Sequence, residues 1–139
     1  MGRSTVEVNG SGIFNMARCE GVVLVVEDHP LVRMGVLEVI IEAGFETLEA
    51  SSAAEAIRIL EARPDIHLVF TDAEMPGTMD GIELAHYIRN RWPPVKVIVV
   101  SGEVAIDAKE LPAGARFFPK PYRETSIVDA MIGMLSGAP

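Results

Sequence analysis

From Val22 onward the chain alternates between two hydrophobic rhythms. Val22-Val-Leu-Val-Val26 is continuous, apolar and β-branched, and predicts a strand buried on both faces. Pro30 stands where a helix begins, Leu31, Met34, Leu37 and Ile41 follow at helical spacing, and Gly44 supplies the stop. Residues 45–49 predict a short second strand. Ser51-Ser52 caps a helix running through Ala62, with Glu55 three residues after Ser52 as in a capping box, and Pro64 ends it. Residues 66–71 predict the third strand. Met79-Asp80-Gly81 opens a helix striped by Ile82, Leu84, Ala85 and Ile88 that closes near Trp92-Pro93-Pro94. Residues 95–100 predict the fourth strand, and residues 103–111 a short, weakly patterned fourth helix ended by Pro112-Ala-Gly114. A fifth strand over 115–118 and a fifth helix over 122–135, with Ile127, Ala130, Met131 and Met134 inward, complete the pattern.

Five strands alternating with five helices imply an α/β fold, a doubly wound parallel sheet covered on both faces. Connections this short require right-handed crossovers. The 139 residues, 49% hydrophobic and 23% charged, fit one globular domain. Residues 1–20, rich in Gly, Ser and Asn, read as a flexible leader, with Met16 either a second start or the end of an appended extension. Residues 21–139 then form the single domain, with no linker to a second and an expectation of no output module after Leu135. Cys19 is the only cysteine and the N-terminus lacks a signal peptide, which points to the cytoplasm. A net charge of −8 opposes nucleic-acid binding through a basic surface. No apolar run approaches the roughly 20 residues that span a bilayer.

Polar residues end four of the apolar runs: Asp72 after His67-Leu-Val-Phe-Thr, the pair Glu27-Asp28, Ser101 and Lys120. Open α/β sheets bind ligands at the carboxyl ends of their strands. Three carboxylates gathered there raise one another's pKa, and a hard divalent cation relieves the crowding. Mg²⁺ suits such a set, taking one or two carboxylates and completing its octahedron with water and phosphate oxygens. A carboxylate can also serve as the nucleophile in phosphoryl transfer, forming an acyl phosphate. Plainer readings stand beside these. Asp72 before Met75-Pro76-Gly77 fits a turn, Asp28 fits a helix cap, Lys120 an exposed lysine between prolines, and Ser101 a strand-ending hydroxyl.

Val25-Val-Glu-Asp-His-Pro-Leu-Val-Arg33, Val69-Phe-Thr-Asp-Ala-Glu-Met-Pro-Gly77, Met79-Asp-Gly81, Val99-Val-Ser-Gly102 and Phe117-Phe-Pro-Lys-Pro121 together resemble the receiver domain of two-component response regulators. The resemblance covers about Val22 to Leu135. It implies a (βα)5 flavodoxin-like fold with strand order 2-1-3-4-5 and Asp72 as phosphoacceptor. It further implies Mg²⁺ held by Asp28, Asp72 and the Glu74 backbone carbonyl, with Glu27 acting through water. Lys120 would pair with a phosphoryl oxygen, Ser101 would donate a hydrogen bond to another, and the Lys120–Pro121 bond would be cis. Phe117 holds the switch-aromatic position, turning inward as Ser101 moves and so altering the face of the fourth helix, fifth strand and fifth helix. A plain core aromatic fits Phe117 equally well.

Three departures from the pattern stand out: Glu74 two residues after the acceptor, a loop Gly77-Thr-Met-Asp-Gly81 one residue longer than usual, and the abbreviated stretch 104–111. His29, His67 and His86 show no metal-ligand spacing and read as surface or packing residues. The expected function is a stand-alone receiver that takes phosphate from a sensor histidine kinase or histidine phosphotransfer protein. It would signal by contact with a protein target or drain phosphate as a sink, with no chemistry beyond its own phosphorylation and dephosphorylation. A homodimer through the face just named is one assembly this allows. The alternative is a small phosphohydrolase of the haloacid dehalogenase superfamily, suggested by Asp72-Ala-Glu74. Those enzymes place the nucleophile early and the acidic metal pair late, the reverse of this chain.

Overall fold

The computed structural model describes residues 20–103 and 106–136. Five strands, β1 (Val22–Val26), β2 (Glu46–Ala50), β3 (Leu68–Asp72), β4 (Lys96–Ser101) and β5 (Arg116–Pro119), form one parallel sheet in the order β2-β1-β3-β4-β5. The helices are α1 (Pro30–Glu42), α2 (Ala53–Ala62), α3 (Gly81–Arg91) and α4 (Glu124–Leu135). The predicted strand order and doubly wound class therefore hold. The expectations for residues 1–19, including Met16 and Cys19, lie outside the described residues.

Alternation along the strands sorts the core into two layers. Leu24, Val26, Val69, Val97 and Val99 pack with Ala56 and Leu60 of α2 and Leu84, Ala85 and Ile88 of α3. Val23, Val25, Leu68, Phe70, Ile98 and Val100 pack with Ile40 of α1 and Ile127, Ala130 and Met131 of α4. Both faces are buried, which is why β1, β3 and β4 are continuous apolar runs rather than alternating ones.

Local chemistry sets the helix ends. α1 closes in a Schellman turn: Gly44 N–H donates to Ile41, Phe45 N–H donates to Ile40, and Gly44 sits at φ +103°. Ser52 caps α2 by accepting from Glu55 N–H at 3.1 Å, but the Glu55 carboxylate accepts from Ser51 N–H, one residue off the reciprocal box the sequence suggested. The full capping box is at α3, where Asp80 accepts from Glu83 N–H and Glu83 accepts from Asp80 N–H.

Two expectations are corrected. The stripe Leu31, Met34, Leu37, Ile41 is not the buried face of α1: Leu31, Met34 and Ile41 are more than half exposed, while Ile40 is buried. This helix is apolar nearly all round, so its own periodicity does not choose a face. The fourth helix over 103–111 is also absent as an α-helix. Among the described residues of that stretch only one 3₁₀ turn forms, Ala108–Glu110. Asp107 caps it from inside the predicted helix by accepting from Lys109 N–H at 3.0 Å. Pro112 holds Leu111 extended, so the helix has three residues in which to form.

Candidate functional site

The sheet's carboxyl edge collects the site by strand parity. Glu27 follows Val23 and Val25, Asp72 follows Leu68 and Phe70, and Lys120 follows Phe118, so all three continue the α1–α4 side of the sheet. Ladder bonds extend past the strands and hold the edge: Glu27 N–H donates to Ala50, Ala73 N–H to Val100, and Lys120 N–H to Ser101, at 2.8 to 3.0 Å. The result is an ion pair, Lys120 Nζ to Asp72 Oδ2 at 2.6 Å, with the Asp72 side chain only 7% exposed. The other oxygen, Asp72 Oδ1, accepts from Glu74 N–H at 3.0 Å. Asp72 is thus fixed at both oxygens. The Lys120–Pro121 peptide is cis, as the resemblance implied.

The two buried acids titrate in opposite directions. Burial pushes Glu27 up to about 7, the His29 N–H bond opposes this, and the neighbouring Asp72 carboxylate adds to it. Burial also acts to raise Asp72. It is outweighed by the Lys120 ammonium, a hydrogen bond shared with Glu27 and the Glu74 N–H, so Asp72 lies below the usual carboxylate range. Burial works against charge on Lys120, but Asp72 dominates and raises it. Burial thus favours the neutral form of Glu27, while the Lys120 ammonium favours the charged form of Asp72.

Ser101 ends β4 on the opposite parity and meets a different partner. Its hydroxyl is fully buried, donates to the Glu74 carboxylate and accepts from Glu103 N–H at 2.9 Å. Glu74 Oε1 also accepts from Gly102 N–H at 3.3 Å. Beside Glu74 a cleft of about 630 Å³ opens, lined in part by Met75, Pro76, Asp80 and Ile82. Sequence reasoning flagged Glu74 by position but missed its reach to Ser101.

The remaining candidates lie around this centre. Asp28 is exposed at the rim, and its carboxylate adds to the upward push on Glu27. Phe117 is half-buried and packs on the α2–α3 core, opposite Val99 of β4. The three histidines are separate: His67 Nδ1 accepts from Val22 N–H at 2.9 Å, His86 Nε2 meets the Glu110 carbonyl, and His29 is exposed. Missed altogether was Arg33, whose guanidinium donates to the Glu27 carbonyl at 2.7 Å and to Glu49 at 2.7 Å. An Arg one turn into a helix that begins beside an acidic strand end is the signal for it.

The acids at this edge offer oxygen atoms as metal ligands, which fits a hard cation. Among the described residues no three His, Cys, Asp or Glu side chains converge as a ready cage.

Against this geometry, the response regulator receiver domain family matches residues 23–132. The chain belongs to that family. Sensor kinase CckA of Brucella abortus is 38% identical over 118 residues, 81% of this chain but 12% of that protein. Chemotaxis protein CheY of Thermotoga maritima is 36% identical over 114 residues, 78% of this chain and 92% of that protein. A response regulator receiver domain protein from Clostridium thermocellum superposes with a TM-score of 0.76 at 26% identity, covering 84% of this chain and 94% of that one. Receiver domains are signalling domains that receive phosphoryl groups from histidine kinases and bind Mg²⁺. No helix among the described residues is long and apolar enough to cross a membrane.

Proposed function

We propose that Asp72 is the phosphoacceptor of a two-component phosphorelay, loaded from a phosphohistidine of a sensor histidine kinase or histidine phosphotransfer protein. The signal passes on by protein contact. The observation that carries this is the Lys120–Asp72 pair: a buried carboxylate, ionised at neutral pH, with one oxygen on an ammonium and the other on a backbone N–H. Such a group is oriented and charged without titrating in the working range.

In transfer, an Asp72 oxygen forms a P–O bond as the donor's P–N bond breaks. The leaving imidazole nitrogen keeps the electron pair and takes up a proton. Lys120 moves with the charge, from the carboxylate to a phosphoryl oxygen, and Ser101 donates to a second oxygen. Asp28, Asp72 and the Glu74 carbonyl would hold Mg²⁺, with Glu27 acting through water. When bound, the ion neutralises charge on the phosphoryl oxygens. Phe117 is the residue to follow Ser101, since it pairs with Val99, two residues before Ser101 on the same face of the sheet.

Beryllofluoride titration in millimolar Mg²⁺ tests this reading. Saturable, Mg²⁺-dependent binding that disappears in Asp72→Asn is expected, with at most one phosphoryl group incorporated per chain from a small phosphodonor. No binding by the wild type, or sustained turnover of phosphomonoesters that Asp72→Asn abolishes, overturns it.

A further inference from the structure

We propose that the Glu74 carboxylate is a built-in competitor for the phosphoryl group, a latch that occupies the donors at the end of β4 until phosphorylation expels it. The proposal rests on Asp72 being the acceptor and extends that reading to the Glu74 side chain, of which it uses only the backbone carbonyl.

Ser101 has one hydroxyl proton, and that proton is committed to Glu74. The acceptor side of the same oxygen is taken by Glu103 N–H. The Gly102 N–H is the second donor on this rim, and it too points at Glu74. A phosphoryl group on Asp72 carries only acceptor oxygens, as a carboxylate does. It can take the Ser101 proton only if Glu74 lets go. Repulsion adds to the competition, because Glu74 N–H is already bonded to Asp72 Oδ1 and keeps the two side chains on one short turn.

Glu74 is placed to be expelled. Its side chain is largely exposed, whereas Ser101 is fully buried, and the cleft bounded by Met75, Pro76 and Ile82 leaves room on the outer side. Release therefore costs the Ser101 and Gly102 hydrogen bonds and leaves the carboxylate in water rather than stranded. Ser101 then changes partner instead of moving from an empty position, so the latch sets a threshold on activation. It also holds the β3–α3 turn and the end of β4 together in the unphosphorylated state.

Titrating beryllofluoride in Mg²⁺ into the full chain, with Glu74→Ala, Glu74→Gln, Ser101→Ala and the Glu74→Ala/Ser101→Ala double variant, tests the latch. Glu74→Ala should bind about tenfold more tightly than wild type, the size of a lost hydrogen bond to a charged group. Glu74→Gln keeps an acceptor without charge and should fall between. In the Ser101→Ala background the gain from Glu74→Ala should shrink severalfold. Without any ligand, the Gly102 amide proton should move upfield in Glu74→Ala. Unchanged affinity in Glu74→Ala, a gain undiminished by Ser101→Ala, or an unmoved Gly102 amide each overturns the latch while the acceptor reading stands. Failure of the wild type itself to bind beryllofluoride overturns both.

Discussion

A Cβ at Gly81 would lie 1.8 Å from the Asp72 carbonyl oxygen and 2.8 Å from the Ala73 Cα, so α3 can press against the end of β3 only with hydrogen at that position. The same approach lets Gly81 N–H donate to the Ala73 carbonyl at 2.9 Å. Gly81→Ala has no flexible side chain to push aside, only backbone. It should lower stability by about 2 kcal/mol or more and weaken Mg²⁺-dependent beryllofluoride binding, both measurable by melting with and without ligand. A variant that melts like the wild type would show that the close contact is relaxed in solution. Lys120→Met asks a different question of the same carboxylate. Without the ammonium 2.6 Å away, burial acts on Asp72 opposed only by its hydrogen bonds with Glu27 and the Glu74 N–H, and its titration should move upward. Carbon-detected NMR of the Asp72 carboxyl reads this directly; an unmoved titration would mean that Lys120 does not hold Asp72 ionised. Asp72, Lys120, Ser101 and Glu27 were visible in the sequence because each ends an apolar run, and strand parity then fixes who meets whom. The Glu74–Ser101 bond was not, since it depends on a side chain crossing from one strand end to the next over 27 residues of chain.

Elements were legible where caps and periodicity agreed. α3 has both, an Asp80–Glu83 box and a stripe at Leu84, Ala85 and Ile88. Asp80→Ala removes the acceptor for Glu83 N–H and should cost about 1 kcal/mol, lowering the melting temperature by about 4 °C. A smaller loss than in an exposed-surface control would show that packing alone holds the helix start. The two misread segments fail for different reasons. α1 carries too much apolar surface for periodicity to select a face, and the sheet decides by taking Ile40 with Val36 and Leu37. In the stretch before Pro112, Asp107, read as a helical residue, caps a new start, and Leu111 is already extended. A helix of so few residues has no cooperative reserve. Where a fourth helix was expected, the described residues form a single 3₁₀ turn whose Glu110 carbonyl meets His86 of α3.

At the scale of the whole molecule, the acidic edge ties folding to pH and to divalent cation. Glu27 rises to about 7 in the folded chain from an ordinary value near 4.5. Between those values the folded state holds a proton that the unfolded state has released, so stability falls as pH rises through this window. The favourable contribution is complete below about pH 4.5 and gone above pH 7, an effect of about 3 kcal/mol. Asp72 works the other way, because its folded value is depressed. Its contribution is present above the unfolded carboxylate range and disappears only in stronger acid. The metal-free protein should therefore be most stable near pH 5 and lose stability toward pH 8. In Glu27→Gln the carbonyl oxygen and amide keep the packing without a titrating proton, and the decline between pH 5 and 8 should flatten. Mg²⁺ should stabilise the wild type more at pH 8 than at pH 5, since the cation and the Glu27 proton answer the same excess of negative charge. Thermal denaturation at both pH values, with Mg²⁺ and with chelator, checks both statements. Equal stabilisation by Mg²⁺ at pH 5 and pH 8 would mean that the ion binds without regard to the Glu27–Asp72 pair.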